Sequence, residues 1–129
     1  MPPLVLPAAL IAVAILAALA ALQLAVAFGA PLGHFVWGGK NRVLPPKLRI
    51  ASAFSIVIYA AIALVLLDRA GAIDIFPGEQ VEAVATWFIF GYFTLGILAN
   101  GVSRSKPERY TMTPTCALLA SCTLLIALS

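Results

Sequence analysis

The sequence predicts an all-α integral membrane protein, a bundle of four transmembrane helices arranged as two hairpins. Hydrophobic residues make up 63% of the 129 residues and charged residues only 10%, which is more apolar surface than one small soluble domain can bury. Four apolar runs approach or exceed the ~20 residues that a helix needs to cross a bilayer. We therefore expect a single membrane domain covering residues 1–129, with spans at about 4–28, 50–67, 83–102 and 113–128.

The first span is rich in alanine. Small residues recur on one helix face at Ala14, Ala18, Ala21 and Ala25, and small residues let helices approach closely in lipid. This stripe predicts where the first span meets its neighbours, although a general alanine bias of composition explains the pattern equally well. No basic residue precedes the span, so we expect it to stay in the mature protein rather than to be cleaved.

Proline, glycine and acidic residues mark the ends of the next two spans. Pro45 and Pro46 are typical of a helix start, and Gly71 predicts a C-terminal cap of the second span. Glu79 and Glu82 follow the turn at residues 77–78 and are predicted to lie in the first turn of the third helix, where the helix dipole favours negative charge.

The fourth span has an ambiguous beginning. Ser105 and Glu108 have the spacing of a capping box, which predicts a helical turn from Lys106. Thr113 followed by Pro114 offers a second start. Either a brief interfacial helix precedes the span, or one helix continues and kinks at Pro114.

The distribution of basic residues predicts the orientation. The first connection contains Lys40, Arg42, Lys47 and Arg49, the third contains Arg104, Lys106 and Arg109, and the second contains only Arg69. Positive residues stay on the cytoplasmic side of short loops. We therefore expect a multi-pass protein of the bacterial cytoplasmic membrane with both termini on the outside.

A basic segment at residues 29–49 is the first candidate site. It combines glycines, the single histidine, a tryptophan and four cations, which suits the headgroup of an anionic lipid or another phosphorylated ligand. The same residues are also typical of a positive anchor with an interfacial tryptophan. The candidate headgroup residues, including one from the third connection, are His34, Trp37, Lys40, Arg42, Arg49 and Arg104.

Polar side chains inside the spans form the second candidate set. None is charged, which argues against an ion-coupled transporter. They are explained by hydrogen bonds between helices or by the lining of a pocket for a small neutral ligand. These residues are Gln23, Ser52, Ser55, Tyr59, Tyr92 and Asn100.

Cysteine and metal chemistry receive little support. Cys116 and Cys122 are six residues apart, about 9 Å along a helix, and cannot bridge each other there. The chain lacks a C-x-x-C motif, so we expect both thiols to pack in the fourth span. The acids Asp68, Asp74, Glu79 and Glu82 suit helix-end electrostatics better than a cation site. We expect no cofactor and no catalytic residue.

Several short runs resemble a family of small bacterial four-span membrane proteins to which no function is attached. The runs are residues 29–34, 37–39, 44–45, 48–49, 103–105 and 108–109, together with Asn100. The resemblance covers most of the chain and implies the four-span fold. It implies no activity, substrate or catalytic residue.

Three functions follow as hypotheses. The first is a non-enzymatic accessory, assembly or lipid-interacting subunit, whose partners would be membrane lipids, further copies of the chain or a larger membrane complex. The second is a subunit of an oligomeric channel or transporter for a neutral or lipophilic solute. The third is a small membrane enzyme that uses His34 on a lipid or isoprenoid. The extended basic and aromatic interleaving of a nucleic-acid site is missing, so no nucleic-acid partner is expected.

The orientation is testable with reporters. Seven of the eight basic residues lie in the first and third connections, so alkaline phosphatase fused after Ser129 should be active outside, and a cytoplasmic fluorescent reporter fused there should stay dark. The same pair inserted near Arg104 should give the opposite result. If both positions report from the cytoplasm, the fourth helix does not cross the membrane.

Overall fold

A computed structural model describes residues 4–129 as four long helices joined by short connections. They are α1 (Val5–Ala27), α2 (Pro46–Arg69), α3 (Glu79–Gly101) and α4 (Lys106–Ala127). Residues 4–129 contain no strand, and all four helices are long and apolar enough to cross a membrane. The predicted four-helix class is confirmed.

The helices form a closed ring of neighbours. The most extensive packing joins α1 to α2 and α3 to α4, and the two hairpins close on each other where α1 meets α4 and α2 meets α3. The shared core contains four aliphatic side chains that are almost or completely buried. They are Leu16 of α1, Leu66 of α2, and Leu119 and Ile126 of α4. The two-hairpin arrangement therefore follows from short connections between helices that pack side by side.

The face of α1 that packs against the bundle differs from the predicted one. The buried residues are Val5, Ala8, Ala9, Ala12, Leu16, Gln23 and Val26. Ala14, Ala18 and Ala21 are exposed and Ala25 is half-buried, so the predicted stripe was wrong. Alanine covers most sides of this helix, and the larger Leu16 and Gln23, which have partners in the core, set its rotation.

The ends of the helices match the sequence signals closely. Pro46 occupies the first turn of α2, and Gly71 ends that helix with a φ of +83°. Helix α4 begins at Lys106, as the spacing of Ser105 and Glu108 predicts, and it runs through Pro114 as one helix, rather than as a brief helix followed by a second one. At 1.5 Å per residue its 22 residues span about 33 Å, enough for a ~30 Å hydrocarbon core.

The rotation of α1 makes a prediction about packing. Ala12 is completely buried, whereas Ala18 is exposed. Ala12→Leu should therefore lower the free energy of unfolding by about 1–3 kcal/mol through overpacking, measured by thermal unfolding in detergent. Ala18→Leu, the matched control, should have little effect. Equal losses in both variants would contradict the observed helix face.

Candidate ligand cavity beneath the cap segment

The connection between α1 and α2 folds over one end of the bundle, and we call residues 28–45 the cap segment. It contains two short 3-10 turns, Gly33–Phe35 and Trp37–Gly39. Val36 and Leu44 of the cap segment form a small buried apolar cluster with Val26 of α1. The hydrophobic effect therefore holds the segment on the bundle.

Side-chain hydrogen bonds tie the cap segment to α2 and to the start of α4. The indole Nε1–H of Trp37 donates to Ser52 Oγ at 2.8 Å, and the backbone N–H of Gly38 donates to Glu108 Oε2 at 3.1 Å. The Ser105 hydroxyl donates to the backbone carbonyl of His34. Ser105 is the N-cap of α4 but makes no side-chain capping bond, so the predicted capping-box residues hold the cap segment instead.

The cap segment contains an unusual run of backbone conformations. Trp37, Gly38 and Gly39 all have positive φ, of 51°, 78° and 71°. Such a conformation costs a residue other than glycine on the order of 1–3 kcal/mol and persists only where surrounding contacts enforce it. For Trp37 these contacts include the bond to Ser52, and a Cβ at position 39 would overlap the Ser105 side chain.

A cavity of about 310 Å³ lies between the helices beneath the cap segment. Its volume is at the lower end of the range for small-molecule sites. The walls are mostly apolar and aromatic, with a few polar groups. The lining comprises Leu19, Leu22 and Gln23 of α1, Phe35, Val36 and Trp37 of the cap segment, Ser55 and Tyr59 of α2, Tyr92, Phe93, Gly96, Ala99 and Asn100 of α3, and Glu108, Met112, Cys116 and Leu119 of α4.

A second, more open depression of about 440 Å³ adjoins the cavity, and we call it the vestibule. It carries both signs of charge, because Lys40 and Arg104 line it together with Glu108. The residues that line both spaces are Trp37, Ala99, Asn100 and Glu108. These four residues therefore form the boundary between the vestibule and the cavity.

The structure brings together half of the predicted headgroup residues. Trp37, Lys40 and Arg104 line the vestibule. The other three do not line it. His34 has its ring Nδ1 3.1 Å from the carbonyl oxygen of Gly39, Arg49 donates from Nε to the carbonyl of Leu44 at 3.0 Å, and the Arg42 side chain is exposed.

The predicted interior polar residues converge more completely. Five of the six line the cavity, namely Gln23, Ser55, Tyr59, Tyr92 and Asn100. Ser52 does not, because its hydroxyl is completely buried and accepts the hydrogen bond from Trp37.

Two amides contribute polar groups to the cavity wall. Gln23 Nε2 donates to the Tyr59 hydroxyl at 3.4 Å, while Gln23 Oε1 is buried without a partner in residues 4–129. Asn100 Nδ2 lies 2.8 Å from the carbonyl oxygen of Gly96 and 3.5 Å from Cys116 Sγ. These contacts use the amide donors of Asn100 and leave its Oδ1 as an acceptor at the boundary.

Glu108 and Cys116 are the residues that sequence reasoning missed. Glu108, for which the sequence predicted only a capping role, is 6% exposed and lines the cavity. Cys116 lines the cavity as well, rather than only packing in the fourth span. Once α4 begins at Lys106, Glu108, Met112 and Cys116 follow one another at intervals of four residues. This spacing places them on one helix face, and it is the signal that could have found the site.

A pair of buried carboxyl groups lies at the opposite end of the bundle, outside the apolar spans. Asp68 follows the span of α2, and its Oδ2 accepts hydrogen bonds from the N–H groups of Ile75 and Phe76 at 2.6 and 2.9 Å. Glu82 precedes the span of α3 and shares a hydrogen bond with Asp68. Within residues 4–129, no three histidine, cysteine or acidic residues are close enough to hold a metal ion.

The two carboxyl groups titrate differently. The hydrogen bond to Asp68, together with burial and the negative charge of Asp68, raises the pKa of Glu82 to about 7. The hydrogen bonds from Glu82 and from the two backbone N–H groups lower the pKa of Asp68 below its usual value. At mildly acidic pH the pair therefore holds one proton, on Glu82.

Comparison of the chain with models of protein families, with curated proteins and with solved structures found no match. The cavity, the vestibule and the cap segment are therefore the features from which a function can be inferred.

The carboxyl pair predicts a pH dependence of stability. Because the pKa of Glu82 is raised from 4.5 to about 7 on folding, the native state binds more protons than the unfolded state between these values. The stabilisation is complete below about pH 4.5 and is lost as the pH rises through about 7. The thermal midpoint in detergent should therefore fall between pH 5 and pH 8.

Glu82→Gln should flatten this dependence, since an amide N–H can donate to Asp68 at any pH. Glu79→Gln, which changes an exposed acid of the same helical turn, is the control and should keep the wild-type slope. An unchanged slope in Glu82→Gln would show that another group causes the dependence.

Proposed function

We propose that this protein is a non-enzymatic membrane protein that binds a small solute in its four-helix bundle and takes part in the transport or handling of that solute. The observation that carries the proposal is the cavity of about 310 Å³ lined by all four helices and the cap segment. Apolar walls with a few convergent polar groups are typical of small-molecule sites. The cavity is built from one chain, so a single copy suffices to form it.

The basic end supports the orientation of this site. Five cationic residues lie around the connections at the cap end. They are Lys40 and Arg104, which line the vestibule, and the exposed Arg42, Lys47 and Lys106. We propose that this end faces the cytoplasm of a bacterial inner membrane, so that both termini lie outside. In this orientation the vestibule connects the cavity with the cytoplasmic surface.

The basic end also favours lipid interaction as a second function. Exposed cations beside a membrane attract anionic headgroups by about 1 kcal/mol for each residue near the surface. Such binding anchors the protein and is compatible with a solute in the cavity. An enzyme based on His34 receives less support, because His34 lines neither the cavity nor the vestibule.

The two cysteines provide a test of solute access. Cys116 lines the cavity, whereas Cys122 is buried in the core and does not line it. Iodoacetamide, a small neutral alkylating reagent, should therefore modify Cys116 at least tenfold faster than Cys122 in purified protein, as measured by mass spectrometry of peptides. At least one small aromatic amphiphile at millimolar concentration should slow this reaction.

Matched variants separate the cavity from general effects on the bundle. Ala99→Phe introduces a ring at the boundary of the cavity and should slow alkylation of Cys116. Ala61→Phe adds the same ring on an exposed face of α2 that lines neither space and should leave the rate unchanged. Equal alkylation of both cysteines, with no effect of Ala99→Phe and no protection by any amphiphile, would overturn the proposed function.

A further inference from the structure

Glu108 is the one strongly buried carboxyl group at the cavity within the described residues. It is 6% exposed and lines both the cavity and the vestibule. One of its oxygens, Oε2, accepts the N–H of Gly38, and no basic side chain of residues 4–129 forms an ion pair with it. The other oxygen, Oε1, accepts no hydrogen bond from residues 4–129 and remains accessible to solvent. A cationic donor bound at Oε1 would replace water there with a charge-assisted hydrogen bond.

The surroundings of Glu108 suit an ammonium group. Trp37 shares the boundary with Glu108, and Asn100 presents its carbonyl oxygen Oδ1 as a further acceptor there. An aromatic face attracts a cation through its quadrupole, by about 0.5–2 kcal/mol depending on solvent exposure. Together, the carboxylate of Glu108, the amide oxygen of Asn100 and the indole of Trp37 are suited to bind a protonated amine.

The vestibule adds the opposite charge at a short distance. Lys40 and Arg104 line it on the outer side of the same boundary. Arginine and lysine bind carboxylate or phosphate groups through charge-assisted hydrogen bonds. An amine without an anionic group would leave these cations unpaired and would meet their repulsion on entry. A ligand that carries both charges avoids this cost.

The cavity beyond the boundary is suited to an apolar body. Phe35, Tyr59, Tyr92 and Phe93 contribute aromatic surface to its lining. The order from solvent inward is therefore cationic side chains, a carboxyl group, and an aromatic cavity. A lipid with a terminal ammonium and an inner phosphate has its charges in the reverse order. An α-amino acid has its carboxylate and ammonium side by side at one end and its side chain at the other.

We propose that the solute is a zwitterionic molecule of the aromatic α-amino acid class. Its ammonium binds Glu108 between Trp37 and Asn100, its carboxylate binds Arg104 and Lys40, and its ring occupies the cavity. This assignment rests on the proposed function, because it names the chemistry of the solute in the same cavity.

The experiment compares four probes that share a phenylethyl skeleton: L-phenylalanine, phenethylamine, 3-phenylpropionate and 2-phenylethanol. Each is tested for slowing the alkylation of Cys116 in purified protein. L-phenylalanine should protect at a concentration at least tenfold lower than the three analogues, because it alone satisfies both Glu108 and Arg104.

Two charge variants assign the two ends of the ligand. Glu108→Gln keeps an acceptor for the Gly38 N–H. It should raise at least tenfold the concentration of L-phenylalanine or phenethylamine that protects Cys116, and leave the protective concentration of 2-phenylethanol unchanged. Arg104→Gln should raise the protective concentration of L-phenylalanine and of 3-phenylpropionate, but not that of phenethylamine. Glu79→Gln, at the opposite end of the bundle, is the control and should change none of them. Circular dichroism and thermal unfolding confirm that each variant is folded.

The outcomes separate this inference from the proposed function. Equal protection by 2-phenylethanol and L-phenylalanine, or an unchanged response in Glu108→Gln, would overturn the zwitterion while a solute-binding cavity stands. If phenethylamine alone protects Cys116, the solute is an organic cation, and the zwitterion proposal is overturned. If none of the four probes protects Cys116, the zwitterion is overturned. If, in addition, Cys116 and Cys122 are alkylated at equal rates and Ala99→Phe has no effect, the proposed function is overturned as well.

Discussion

The hydrogen bond from the Gly38 N–H to Glu108 is the interaction on which the architecture of the cap end depends. It joins the first connection to the start of α4 across 70 residues of chain, and hydrogen bonds to charged groups contribute about 1.5–3 kcal/mol. The donor, Gly38, lies within the run of three residues with positive φ. Without this bond, the segment above the cavity would depend on its small apolar cluster and on the side-chain hydrogen bonds made by Trp37, Arg49 and Ser105.

At both ends of the bundle, a carboxylate near a helix end accepts backbone N–H groups from a connection. At the cap end, Glu108 accepts a backbone N–H from the first connection. At the opposite end, Asp68 accepts two backbone N–H groups from the second connection. A buried carboxylate needs donors, and a connection close to lipid needs partners for its peptide groups. Each arrangement satisfies both needs and fixes a connection against a helix end.

The two ends differ in what surrounds the carboxylate. Asp68 has a second carboxyl group, Glu82, which supplies a shared proton and completes the site within the chain. Glu108 has an indole, an amide and open volume beside it. The Asp68–Glu82 pair needs no ligand, and its contribution to the stability of the fold is enough to explain it. At Glu108, by contrast, one carboxyl oxygen has no hydrogen-bond partner within residues 4–129, and the residue lines space that a ligand can occupy. For this reason the cap end is the candidate functional site.

The sequence by itself determined the features that depend on local composition. Apolar runs predicted the four helices, prolines and glycine predicted both ends of α2, and the interior polar residues of the cavity were identified because a polar residue in an apolar span needs a partner. The rotation of α1 was not predictable, because alanine covers nearly every side of that helix. Glu108 was missed because a carboxylate near a helix start is usually solvated or used in capping. Only the tertiary structure brought Gly38 within hydrogen-bond distance of it, and burial by a segment 70 residues away leaves no local pattern in the sequence.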